Sequence, residues 1–157
     1  MKKIFSKGLV IAGMLSAAPV ALTTIEQPAT ASEYKNDPRL EQLKRFFQAQ
    51  DSPAQDFSEE FLRAADRHNL DWRLLPSISL VESGGGRDAR NNNLFGWDGG
   101  KAMFTSVRAG IHKVADRLAT SRIYRDKDVD EILRLYNPNA NYPQVVKSVM
   151  RRISPSE

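Results

Sequence analysis

Cysteine is absent from the 157 residues, which excludes disulfide scaffolds, thiolate zinc sites and cysteine nucleophiles. Histidine occurs only at His68 and His112, so an imidazole-built metal centre would need carboxylates to complete it. No metal constellation, cofactor motif, internal repeat or low-complexity tract is visible, and neither metal nor cofactor is expected. The chain is 41% hydrophobic and 27% charged, which excludes collagen-like, acidic-disordered and polytopic membrane classes. Its length fits one domain with appendages.

Long apolar runs are also scarce. The main one, Gly8 to Ala21, follows the cationic start Met1-Lys2-Lys3 and Lys7, and has the length of a signal-peptide core. Ala29-Thr30-Ala31 then supplies a small-residue cleavage site, so residues 1–31 are read as a signal peptide. The protein is expected to be exported, to the periplasm or the extracellular space. A membrane tether arises only if the segment stays uncleaved, an option that Pro19, Thr23 and Thr24 weaken.

Export changes the charge argument. Of the 23 basic and 19 acidic residues, Lys2, Lys3, Lys7 and Glu26 leave with the signal, so the remainder carries a net +2. A mixed, mildly basic surface suits weak attraction to an anionic polymer, and no nucleic-acid partner is expected. A monomer is expected.

Residues 32–51 read as a linker followed by an amphipathic helix. Asp37-Pro38 starts it, and Leu40, Leu43, Phe46 and Phe47 form its apolar stripe. Residues 52–154 read as the main domain. Ser52-Pro53 opens a second helix carrying Phe57, Phe61, Leu62 and Ala65, ending near His68-Asn69. Asp71 is expected to cap a third helix from Trp72 to about Ser83, apolar on most sides and therefore buried, and bent at Pro76. Gly84-Gly85-Gly86 stops it.

Beyond the polar loop 87–93, Leu94-Phe95-Gly96-Trp97 and Lys101-Ala102-Met103-Phe104 flank Asp98-Gly99-Gly100, which predicts a small β-hairpin. Thr105 is expected to open a fourth helix, and Asp128 with Glu131 gives a capping pattern for a fifth. Asn137-Pro138-Asn139 ends that one, and Tyr142-Pro143 begins the last. The expected fold is mainly α: short helices around one buried helix.

Glu82 is the most informative residue. Apolar neighbours disfavour its charged form, and so do the carbonyls of the helix C-terminus, so a raised pKa is expected. A carboxylic acid kept neutral beside a cleft can serve as general acid for glycosidic cleavage. The glycine run is expected to bare one wall for a bulky polymer. The competing account is a glutamate that points into solvent.

The stretch SPAQDFSEEFLRAADRHNLDWRLLPSISLVESGGG, residues 52–86, resembles the opening of bacterial lysozyme-like glycan hydrolases. Three further blocks agree in order: Asn92 to Trp97; Phe104 with Gly110-Ile111 and Val114-Ala115; and Tyr136-Asn137-Pro138. The chain looks most like the mannosyl-glycoprotein endo-β-N-acetylglucosaminidase-like (glucosaminidase) group, relatives of the soluble lytic transglycosylases. The G-L-M-Q element of those transglycosylases is missing, with Phe95-Gly96-Trp97 in its region.

The resemblance implies a lysozyme-like fold, a peptidoglycan glycan strand as partner, and cleavage of the N-acetylglucosamine/N-acetylmuramic acid backbone. It implies Glu82 as catalytic acid, with Tyr136 facing it. Ser83, Asn93, Phe95, Trp97 and Asn137 are implied to accompany them along the cleft. A non-catalytic glycan-binding module is the alternative. Trp97 and Phe95 are candidate platforms for sugar rings, although alternation along a strand turns one of the two toward the core. Asp88 and Asp98 are candidates for a second carboxylate, against a solvated loop residue and Asp-Gly turn chemistry respectively. Arg87, Arg90, Arg151 and Arg152 can meet anionic polymer or simply be solvated.

Overall fold

The computed structural model describes residues 33–155. The signal segment 1–31 lies outside the described residues. No helix among them is long and apolar enough to cross a membrane. Among the described residues the architecture is mainly α, with six α-helices: α1 Pro38–Gln48, α2 Ser58–His68, α3 Leu74–Ser83, α4 Val107–Thr120, α5 Val129–Tyr136 and α6 Tyr142–Ile153.

The helix starts follow from side-chain caps. The Asp37 carboxylate accepts from the Arg39 amide ahead of Pro38. Asp128 and Glu131 exchange reciprocal bonds in a capping box at the head of α5. Three starts differ from the sequence expectation. Ser52-Pro53 opens a single 3-10 turn, Pro53–Phe57, before α2 begins at Ser58. Helix α4 begins at Val107, because Ser106 rather than Thr105 accepts from the Ala109 amide.

Helix α3 begins at Leu74, not Trp72, since Asp71 spends its carboxylate on the amide and guanidinium of Arg73. Pro76 is then the third helical residue, where no intrahelical bond is due from its nitrogen, so the expected bend has no cause. The first six residues of α3 are buried, whereas Leu80, Val81 and Glu82 in the last turn emerge partway.

One core serves all six helices. Phe47 of α1, Phe61 of α2 and the loop residue Phe95 form an aromatic column, with centroids 5.6 and 6.3 Å apart. All three are fully buried, each contributing about 1.5–3 kcal/mol by removal from water. Helix α1 is thus packed into the core, and Gln42 adds a bond to the Ile153 carbonyl of α6. Helix α3 lies chiefly against α6, and α2 against α4.

The expected hairpin does not form. Between Leu94 and Phe104 the chain makes turns, and the one ladder contact among the described residues is an isolated bridge, Arg90 with Asn93. Positive φ at Asn91, Asn92, Gly96, Asp98, Gly99 and Gly100 coils the segment too often for an extended run. The buried Asn93 amide takes the place of a neighbouring strand. It accepts from the Trp97 amide and donates to the Trp97 and Ala102 carbonyls.

Candidate active site

Helix α3 carries Glu82 out of the core in its last turn. The start of α6 brings Tyr142 opposite, and its hydroxyl donates to Glu82 Oε1 at 2.6 Å. Oε2 lies over Gly96. A side-chain carbon at position 96 would stand 2.7 Å from that oxygen, and φ of +59° there already disfavours any other residue. Glycine at 96 therefore keeps the second carboxylate oxygen accessible.

The glycine triplet does something else. Gly85 is buried, and a side chain there would collide with Ser52 Oγ, while one at Gly84 would meet the Arg87 guanidinium. The expectation that this run bares the wall of the groove is corrected: it locks the end of α3 onto the 3-10 turn, and Gly96 bares the wall.

Two hollows meet at Gly96. One, of about 160 Å³, is bordered by Glu82, Asp88, Arg90 and Asn93. The other is an open groove of about 530 Å³, walled by Trp97, Asp98, Tyr124 and Tyr136. A row of rings runs from the carboxylate along this groove. Tyr142 stacks on Tyr136 with planes 4° apart and centroids at 5.9 Å; Tyr136 meets Trp97 edge-on at 5.6 Å; Trp97 reaches Tyr124 at 6.3 Å.

Burial pushes the Tyr136 and Tyr142 phenols far above the ordinary tyrosine range; the nearby Glu82 charge adds to both, and so does its hydrogen bond at Tyr142. Burial raises Tyr124 as well. All three are proton donors at neutral pH, never phenolates.

The other residues singled out in the sequence divide. Trp97 is half-buried with a face in the groove, as a sugar platform requires. Phe95 is fully buried, so its expected place in the cleft is corrected: its ring packs in the core, and only its carbonyl serves the site, accepting from Tyr136 Oη at 2.5 Å. Tyr136 therefore spends its hydroxyl on that carbonyl and not on Glu82, while it stands near enough to feel the glutamate's charge, and its ring lines the groove.

Ser83 is buried and donates to the Leu94 carbonyl at 2.7 Å, tying α3 to the loop rather than touching a ligand. Asn93 borders the small hollow but spends its amide on the loop. Asn137 ends α5, its Oδ1 accepting from the Asn139 amide. Asp88 lies at the Glu82 hollow and Asp98 at the aromatic groove, both exposed. Among the described residues no group of three or more His, Asp or Glu gathers as a metal ion would need. His112 is half-buried and pairs with Glu60 at 2.9 Å.

Sequence reasoning missed Tyr142, Tyr124 and Gly96. In the sequence Tyr142 marks only the start of a helix, and its spacing from Tyr136, on a separate helix, does not tie it to Glu82. Tyr124 stands in an irregular loop, where periodicity marks nothing. Comparison with protein-family models and with curated proteins finds no match to this chain.

Proposed function

We propose that this protein is an exported bacterial cell-wall glycosidase with a lysozyme-like arrangement, cleaving the N-acetylglucosamine/N-acetylmuramic acid backbone with Glu82 as general acid and base. The observation that carries the reading is the Glu82 carboxylate at the junction of two hollows, held at one oxygen by Tyr142 and bared at the other by Gly96.

The chemistry follows from that arrangement. Because Oε1 accepts from Tyr142, the proton of the acid form belongs on Oε2, the oxygen that faces the space over Gly96. Glu82 gives that proton to the glycosidic oxygen as the bond to the sugar C1 breaks and positive charge develops on the ring. The substrate's own 2-acetamido carbonyl stabilises C1, as in substrate-assisted glycosidases, so a second carboxylate is not required. Deprotonated Glu82 then takes a proton from water, giving hydrolysis, or from the muramyl 6-hydroxyl, giving a 1,6-anhydro end. Trp97 and Tyr124 offer apolar faces to the C–H faces of sugar rings.

The test compares wild type with Glu82→Gln on purified sacculi. Release of soluble muropeptides is expected to fall at least about a hundredfold. Equal release by the two proteins would leave a glycan-binding module in place of an enzyme. Mass spectrometry of the released ends separates anhydro from reducing products, and a muramyl from a glucosaminyl end.

A further inference from the structure

The two ends of the cleft differ in chemistry. The groove beyond Gly96 is aromatic, whereas the hollow on the Glu82 side carries Asp88 and Arg90. Neither of these two side chains has an ion-pair or hydrogen-bond partner among the described residues. Arg87, three positions earlier, is by contrast committed to the Gln50 carbonyl at 2.8 Å.

The backbone under Arg90 is fixed. Its carbonyl accepts from the Asn93 amide at 2.9 Å in the isolated bridge, and the Asn93 side chain is anchored in turn to Trp97. An unspent guanidinium on a fixed base, bordering the same hollow as the proposed acid, is a receptor for an anion. The opposite end offers no cation among the residues that line it.

We propose that Arg90 is a specificity residue that reads a carboxylate carried by the substrate strand. This deepens the proposed function and rests on it. In an alternating glycan only every second sugar bears such a group, free on its 3-O-lactyl substituent where the stem peptide has been removed. The carboxylate-bearing sugar therefore occupies the Glu82–Arg90 side of the cleavage point, and the unsubstituted sugar lies against Trp97 and Tyr124. The Asp88 carboxylate repels the same anion, which confines it to the arginine. A guanidinium bonded to a carboxylate through charged hydrogen bonds forms a stronger contact than any neutral pair the hollow offers.

The test measures binding on the full chain in a Glu82→Gln background, so that strands stay uncut. Three oligosaccharides of equal length are titrated at low salt: a peptide-stripped glycan with free lactyl carboxylates, the same strand with those carboxylates methyl-esterified, and an N-acetylglucosamine oligomer. The Arg90→Gln substitution is expected to raise Kd for the first strand about tenfold and leave the other two unchanged. Added salt should erase the difference, because the contact is exposed. Arg45→Gln, which removes an equal charge on α1, should alter none of them.

Equal weakening on all three strands, or none on the carboxylate strand, would overturn the inference and leave the glycosidase reading standing. Absence of binding to every strand in the Arg90-intact protein would overturn that reading too.

Discussion

Tyr142 Oη lies 2.6 Å from Glu82 Oε1, joining the first residue of α6 to the last turn of α3 across sixty positions of sequence. The bond fixes one carboxylate oxygen, and so decides which oxygen is left for a substrate. Tyr142→Phe removes the donor while keeping the ring that stacks on Tyr136. We expect kcat on soluble glycan strands to fall about 10- to 100-fold with KM nearly unchanged, since the loss is of positioning and not of contact with sugar. Thermal unfolding within a few degrees of wild type would show that the fold is intact. A KM effect without a kcat effect would contradict this role.

Gly96 answers Tyr142 from the other side of the carboxylate. In Gly96→Ala the new methyl would sit 2.7 Å from Oε2, on a backbone with φ of +59°. The strained conformation alone should cost about 1–2 kcal/mol, readable as a lower urea midpoint. Activity should fall further than that loss explains, by about a hundredfold or more at temperatures where the variant is fully folded. An alanine variant with full activity would mean that Oε2 is not the working oxygen.

Glu82 was legible in the sequence because two local signals coincide there: a helix apolar on most sides, and its termination by Gly84. Those signals depend on neighbours in the chain, and so do the caps at Asp37 and Asp128, which the structure reproduces. The partners of Glu82 were not legible in the same way. Tyr142 and Gly96 reach it only through the packing of α6 and the coiling of the 94–104 loop, which no period of 2 or 3.6 announces.

Phe95 shows the complementary failure. Its position beside Trp97 suggested a shared role, but the turn at Gly96 separates them, sending one ring to Phe61 in the core and the other to the groove. The hairpin was lost for a related reason. Asp-Gly between apolar runs signals a two-stranded ribbon only when the flanks are free to extend, and here Asn93 ties both flanks to its own amide.

Acid should loosen the domain from its N-terminal side. Arg39 donates to both Asp37 and Asp66, and these hydrogen bonds are the main reason both carboxyls sit below their ordinary range; Tyr34 adds a further bond to Asp66. A folded-state value below the unfolded one means that the contribution is complete above the ordinary carboxylate range and disappears as pH falls through the lowered values. The loss sets in below the ordinary carboxylate value, about pH 4, and deepens as the solution becomes more acidic.

The alkaline side has the opposite sign. Burial, then the hydrogen bond to Asp66, pushes Tyr34 up to about 12. Its contribution is complete below the unfolded tyrosine value near 10 and is lost as pH rises toward 12. Urea midpoints measured from pH 2 to 12 should therefore decline at both ends. Arg39→Gln should make the acid limb shallower and Tyr34→Phe the alkaline one, each only in part, because Asp71 and Asp130 share the acid limb and Tyr124, Tyr136 and Tyr142 the alkaline one. Limbs of unchanged slope in both variants would place the titrating groups elsewhere and deny this cluster its part in holding α1 to α2.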